Sequence, residues 1–394
     1  MSNCLNKWGK VLFFNAFLLI FLLFLAELIL EKYSNTDRPN NTYARFIRLR
    51  EIGLPNQSLS TLPPTYFPGY ADNVEYKEYT AKLDSSAFIQ SETLLPDAKT
   101  NIVFIGGSTT ECFFVDDTLR FPSLVGKMLQ MKGHSVNTFN SGVAGNHSMH
   151  SINILINKVI HNNFQVAVLM HNINDLVHLS YNGSYYEEKN SPTRSNIVKL
   201  TKPEVNNHDL SYFKSYNYFF RIKKAFQLVF PSIYERMYNA QTKLSPVAIP
   251  KEFHWVRPGP IALPQVKQFE KNLRTFLAIC QAAGIKPVLM TQFNRVNPDE
   301  FYNNPKNKPF LDKIKSSQIT VEEFCQFYNM FNDKVREVAS AENVLLIDLA
   351  KEVPNTKDYL YDYVHLNNGG SKFVAKLISA VLDTAIFKDA TRNK

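Results

Sequence analysis

Cysteine is scarce in this chain, with four in 394 residues, and only 14 residues are glycine. The first scarcity excludes a small disulfide scaffold, and the second excludes a collagen-like repeat. Charge is restrained as well: 20% of residues are charged against 45% hydrophobic, which excludes a disordered chain. Long apolar runs are also missing, with the single exception of Val11 to Leu30, which only Asn15 and Glu27 interrupt. The 44 Lys+Arg against 35 Asp+Glu, a net charge of +9, are therefore carried mainly by a soluble body. A prior of ~150 residues per domain allows two or three domains, or one α/β domain with insertions.

The exception matches the thickness of a bilayer core, which takes about 20 apolar residues. Lys7 and Lys10 precede it and, by the positive-inside rule, hold a short N-terminus in the cytoplasm. A cleaved signal peptide would need an h-region of ~7–15 residues and a small-x-small site. Here the run ends Glu27-Leu28-Ile29-Leu30-Glu31-Lys32-Tyr33, so an uncleaved signal anchor is expected over residues 11–30, with residues 1–10 inside and the rest periplasmic, extracellular or lumenal. Cys4 precedes the run, unlike a lipoprotein cysteine. Cys112, Cys280 and Cys325 are odd in number and lack metal-ligand spacing, so they are expected as buried apolar residues. Asn40, Asn56, Asn146 and Asn182 open N-x-Ser/Thr sequons, as chance also allows in so Asn-rich a chain.

From residue 31 to about 100 the sequence is polar and punctuated by Pro39, Pro55, Pro63, Pro64, Pro68 and Pro96, which suits a stalk and irregular structure packed on a domain. The texture then changes. Short β-rich runs at Asn101–Gly106, Val136–Asn140, Val166–Met170, Lys286–Gln292 and Val344–Leu349 alternate with helical patterns. Those patterns cover Phe121–Lys132, Met149–Asn162, Gln265–Ala283, Val321–Ala341 and Ser371–Ile386. Alternation of this kind implies crossover connections, and so an α/β domain over residues 101–390 with three layers and about five parallel strands. In such sheets the reactive site lies beyond the carboxyl ends of the strands. An insertion at about residues 180–264 breaks the rhythm, with an interrupted aromatic helix expected from Phe213 to Met237. Between Glu187 and Arg257 it carries about 12 Lys+Arg against about 6 Asp+Glu, a surface for an acidic glycan or anionic lipid, or simply a solvated face. Nucleic acid is not expected for a body outside the cell.

The first strand ends in Gly106-Gly107-Ser108-Thr109-Thr110. A serine at a strand-to-helix corner projects above the sheet edge, but its hydroxyl is a poor nucleophile without a base, and alone such a serine is more often a helix cap. Near the other end, Asp362 and His365 are spaced to meet on one turn, where the carboxylate fixes the imidazole tautomer and the far nitrogen takes the serine proton. Asn140-Ser141-Gly142-Val143-Ala144-Gly145-Asn146 follows the second strand and Asn172-Ile173-Asn174-Asp175 the third. The N–H groups of Ser108 and Gly145 and the amide of Asn174 would suit an oxyanion. Each segment alone could be a turn, whereas four in order at strand ends form a pattern. His147, His150 and His171 cluster nearby, but no carboxylate completes a ligand set, so packing or substrate contact is preferred to metal. Cys112 lies one turn past Ser108 with no His spaced to pair with it, and is not the expected nucleophile.

With these segments the sequence resembles the SGNH hydrolases, or GDSL family of esterases and acylhydrolases, from about residue 101 to 386 apart from the insertion. The resemblance implies a flavodoxin-like sheet, Ser108 as nucleophile with Asp362 and His365, an oxyanion hole of Ser108, Gly145 and Asn174, and no cofactor or metal. Two positions depart from the family pattern. Gly107 stands where an Asp is usual, as in GGST-type members, and Asn172 stands where a Gly opens the Gly-x-Asn-Asp block. The activity implied is hydrolysis of an ester, acetyl by expectation, on a small ester or a cell-surface polysaccharide through an acyl-serine. O-acyl transfer to a polysaccharide by the same site and a catalytically silent glycan-binding module are the alternatives. The oligomeric state is left open.

Overall fold

The computed structural model describes residues 11, 13–26, 55–63, 74–90, 94–186, 226, 229–230, 233, 263–303 and 320–388. The chain divides into two compact units, Met1–Asn40 with Lys199–Phe253, and Asn41–Val198 with His254–Lys394. In the first unit residues 13–26 are helical, and Phe13, Phe14, Phe17 and Leu19 on that helix are exposed. Residues 12 and 27–30 of the expected anchor lie outside the described residues, and among the described residues no helix is long and apolar enough to cross a membrane. The described stretch is shorter than the ~20 residues a bilayer core requires. The basic insertion likewise lies largely outside them; of the helix expected over 213–237, residues 226, 229 and 233 are helical.

The second unit holds an antiparallel pair, β1 (Ser58–Thr61) with β2 (Tyr79–Lys82), and a five-stranded sheet of β3 (Thr100–Gly106), β4 (Val136–Gly142), β5 (Val166–Met170), β6 (Lys286–Met290) and β7 (Leu345–Ile347). The five strands run parallel in the order β4-β3-β5-β6-β7. Alternation along β3 sends Ile102 and Phe104 to one face and Val103 and Ile105 to the other, and all four are fully buried. The first face packs on α2 (Phe121–Met131) and α7 (Asn368–Leu382) through Phe121, Val125, Val374 and Ile378. The second packs on α3 (Ser148–Ile154), α5 (Leu263–Ala282) and α6 (Val321–Ala341) through Ile152, Phe269, Phe276, Phe331 and Val335. Each such side chain stabilises the fold by roughly 1.5–3 kcal/mol relative to exposure, and the result is the expected three-layer α/β arrangement.

Among the boundaries that differ from expectation, two near the C-terminus do so for clear local reasons. The last strand is shorter, because Asp348 leaves the ladder to accept hydrogen bonds from Arg336, at 2.8 Å to each carboxylate oxygen, and from Thr291 at 2.7 Å. The last helix begins before Ser371, because Asn367 caps it by accepting from the Gly370 N–H at 2.9 Å, which brings both glycines into its first turn. Within the described residues of the proline-punctuated segment, β1 and β2 pair antiparallel. After β2, Ile89 donates to Asn140 O at 2.9 Å, and Ala81, Leu83 and Ile89 form a small buried cluster beside Phe113.

The parallel register decides where the chemistry lies. Gly106 is level with Gly142 on one side and Met170 on the other, Met170 with Met290, and Met290 with Ile347. The segments after β3, β4, β5 and β6 therefore leave the sheet together at one edge.

Candidate active site

Ser108 opens α1 (Ser108–Glu111), two residues beyond β3. Its N–H, at the first helical position, has no acceptor within the helix. The turn is tight: Gly107 O accepts from Thr110 N and Glu111 N at 3.0 Å, and Cys112 ends the helix in the left-handed region at φ 54°. The Cys112 thiol is buried, which pushes its pKa up to about 12 and keeps it protonated.

The turn that carries Asp362 and His365 is closed on itself before α7 begins. Leu360 bridges Leu366, Tyr361 N donates to His365 O at 2.9 Å, and a Cβ on Gly370 would fall 2.0 Å from Tyr359 O, so only glycine lets the helix approach. The Asp362 Oδ1 accepts from the N–H groups of Val364 and His365 at 2.9 and 2.7 Å. Its Oδ2 lies 2.7 Å from His365 Nδ1, and His365 Nε2 lies 2.7 Å from Ser108 Oγ. With Nδ1–H donating to the carboxylate, the lone pair on Nε2 faces the serine and the Ser108 hydroxyl donates to it. Burial by itself lowers the basicity of His365, but the Asp362 charge and hydrogen bond outweigh it and raise the pKa above the ordinary value. Burial penalises the Asp362 carboxylate, yet His365 and the two backbone N–H groups hold its pKa below the usual range.

Gly145 sits in the left-handed region at φ 79°, which favours glycine. The next residue, Asn146, accepts through its carbonyl from Asn174 Nδ2 at 2.7 Å, so the loops after β4 and β5 meet beside the serine corner. A Cβ at Gly107 would lie 2.4 Å from that same Nδ2 and 3.0 Å from Asn146 O. The glycine in place of the usual Asp thus admits the Asn174 amide against the corner. Asn172, in place of the usual Gly, donates through Nδ2 to Tyr328 O at 2.8 Å, tying the loop to α6.

Beneath these loops lies a buried polar cluster. Asp175, in the first turn of α4 (Ile173–Asn182), accepts from Ser148 N at 2.9 Å, from the Ser148 hydroxyl and from Tyr185 OH. His171 Nδ1 lies 3.4 Å from Asp175 Oδ2 and its Nε2 lies 2.6 Å from Ser151 Oγ. The His147 ring is 4.0 Å from that of His150 and 4.4 Å from that of His178. Among the described residues no group of three or more His, Cys, Asp or Glu is arranged to hold a metal ion.

Two residues near the triad carried no signal in the sequence beyond being polar at or just past the end of a β run. Arg295 Nε donates to Asp362 O at 2.7 Å, and Gln292 reaches the residue after the serine, Thr109.

No family model and no curated protein matches this chain. Among solved structures it is similar to an acetyl xylan esterase, AlAXEase, at 17% identity and TM-score 0.40, covering 72% of this chain and 99% of that one. It is also similar to a lipase/acylhydrolase from Enterococcus faecalis, at 15% identity and TM-score 0.40, covering 72% and 96%. An acetylxylan esterase from Geobacillus stearothermophilus is similar at 14% identity and TM-score 0.40, covering 72% and 94%.

Proposed function

We propose that this chain is a serine esterase of the SGNH type. The observation that carries the reading is the unbroken relay Ser108 Oγ, His365, Asp362, with both steps at 2.7 Å, at the carboxyl edge of a parallel sheet. Ser108 Oγ attacks the ester carbonyl carbon while its proton passes to His365 Nε2. The imidazolium, held by Asp362, returns that proton to the leaving alkoxide as the C–O bond breaks. Water, deprotonated by the same nitrogen, then attacks the acyl carbon, and His365 returns the proton to Ser108 Oγ as the bond from that oxygen to the acyl carbon breaks and the acid leaves. The Asn174 amide carries two N–H bonds; one is given to Asn146 O, and the second is available to the oxyanion with the N–H groups of Ser108 and Gly145. The acyl group we assign is acetyl and the carrier a cell-surface polysaccharide, in keeping with the surplus of about six positive charges between Glu187 and Arg257. The apolar run at residues 11–30, with its exposed phenylalanines, supports placement of the body outside a membrane that this run anchors.

The test is a fluorophosphonate probe applied to cells expressing the full chain, together with turnover of an acetylated oligosaccharide. Labelling is expected in the membrane fraction and should vanish in Ser108→Ala. Labelling that survives in Ser108→Ala would refute the nucleophile, a labelled soluble fraction would refute the anchor, and acetyl found on an added sugar instead of as free acetate would reassign the chemistry to transfer.

A further inference from the structure

Gln292 touches two of the catalytic segments at once. It lies two residues past β6 with 2% of its surface exposed. Its Oε1 accepts from Ile173 N at 2.8 Å, and its Nε2 donates to Thr109 Oγ1 at 2.6 Å. A backbone N–H can only donate, so the amide orientation is fixed by chemistry: the oxygen faces Ile173 and the NH2 faces Thr109. Both partners are adjacent in sequence to site residues, Thr109 to Ser108 and Ile173 to Asn174. The Ile173 N–H is also one of the orphan donors at the start of α4, and no side chain at the Asn172 cap satisfies it.

Gln292 is itself immobilised. Its N–H donates to Asn332 Oδ1 at 3.0 Å, and its carbonyl accepts from Asn332 Nδ2 at 2.8 Å, with Asn332 buried on α6. A side chain held at its root and bonded at both atoms of its tip acts as a fixed-length strut between the loops after β3 and β5.

Resting on the esterase reading above, we infer that Gln292 is a positioning residue that sets the separation of the Ser108 nucleophile from the Asn174 amide. It does not touch substrate. Its removal should therefore weaken stabilisation of the developing oxyanion while leaving substrate binding nearly unchanged, which separates kcat from KM. Misplacement of a catalytic group by about 1 Å costs up to ~100-fold.

The experiment measures kcat and KM for p-nitrophenyl acetate, per active site titrated with fluorophosphonate, on the full chain and on Gln292→Leu, Gln292→Glu, Thr109→Val and the Gln292→Leu/Thr109→Val pair. Gln292→Leu should lower kcat about 10- to 100-fold with KM within about threefold. The double variant should be no slower than Gln292→Leu, because both changes remove the same strut. Gln292→Glu should recover most of kcat. As an acid it donates to Thr109 Oγ1, and as a carboxylate it accepts from the Thr109 hydroxyl, so the strut survives in either state. Wild-type kcat per titrated site in Gln292→Leu, losses that multiply in the double variant, or no recovery with Glu would each overturn the inference. Absence of turnover by the wild type itself would instead refute the esterase reading, so the two failures are distinguishable.

Discussion

Among the described residues two Ser-His-Asp constellations occur, and they differ in exposure and in contact. Ser108-His365-Asp362 lies at the sheet edge, with the His365 side chain 22% exposed. Ser151-His171-Asp175 lies inside, with the His171 side chain 2% exposed and the Asp175 side chain 0%. The serine-to-imidazole distances are alike, 2.7 and 2.6 Å, but the imidazole-to-carboxylate distances are 2.7 and 3.4 Å. Their titration is driven in opposite directions. At the edge the carboxylate is lowered and the histidine raised. Inside, burial raises Asp175 to about 6 against the pull of Ser148 and Tyr185, and burial lowers His171 to about 3. Each member of the edge pair stabilises the charged form of the other. In the inner pair the long contact leaves desolvation in control, and His171 stays neutral. Three matching residue types in the same spatial order are therefore not enough for a base: contact with the carboxylate and access to solvent decide.

The largest break in this comparison should come from Asp362→Asn. The amide cannot stabilise imidazolium and favours the wrong tautomer, so kcat for p-nitrophenyl acetate should fall by about 10⁴-fold. The pH profile tests the cause. On the proposed mechanism the base form of His365 is required, and its pKa is raised, so wild-type activity should decline as pH falls through a value above about 6.5. In Asp362→Asn the residual activity should decline at a lower pH, since the group that raised His365 is gone. An unmoved acid limb would show that Asp362 does not set the basicity of His365.

A change of the opposite sign is expected from the inner relay. Asp175 binds its proton more tightly in the folded protein than in the unfolded chain, where the pKa is near 3.9. Its contribution to stability is therefore fully present below about pH 4 and is lost as pH rises towards about 6, the value to which burial has raised it. Relative to Asp175→Asn, the wild type should lose on the order of 2–3 kcal/mol of unfolding free energy between pH 4 and pH 7, by urea denaturation. A difference between the two proteins that does not vary with pH would mean that Asp175 ionises normally.

Much of this contrast was legible in the sequence on one side and hidden on the other. The alternation of β runs with amphipathic helices was enough for the parallel sheet, because each strand buried on both faces reads as a continuous apolar run. Ser108, Asp362 and His365 were legible as candidates from local spacing and strand ends, and as one site, across 257 residues, only through the family resemblance. The inner relay was not. His171 and Asp175 are close in sequence, but Ser151, on the helix after β4, meets them only through the hydrogen bond to His171, just past β5, that the tertiary fold allows. Gln292 was invisible for the same reason, since its two partners lie 183 and 119 residues away. Its signal, a polar residue closing the fourth β run, gains meaning only once the register brings that strand end level with the other two.

The smallest expected effect isolates burial from pairing. His147 has no carboxylate partner in the cluster; burial first, and then the charges of His150, His178 and His171, hold its pKa well below the ordinary value. The unfolded chain binds a proton there near pH 6.5 and the folded protein does not, so stability attributable to this ring is lost as pH falls below about 6.5, opposite in sign to Asp175. His147→Phe keeps an aromatic ring against His150, His178 and Tyr185 and removes the titration. At pH 7 it should change stability by about 1 kcal/mol or less, through slight overpacking. At pH 5 it should have gained up to about 2 kcal/mol on the wild type, since the wild type alone forgoes protonation there. If the variant instead loses ground between pH 7 and pH 5, His147 is charged inside the folded protein, and the cluster is an electrostatic site and not a neutral packing layer beneath the loops after β4 and β5.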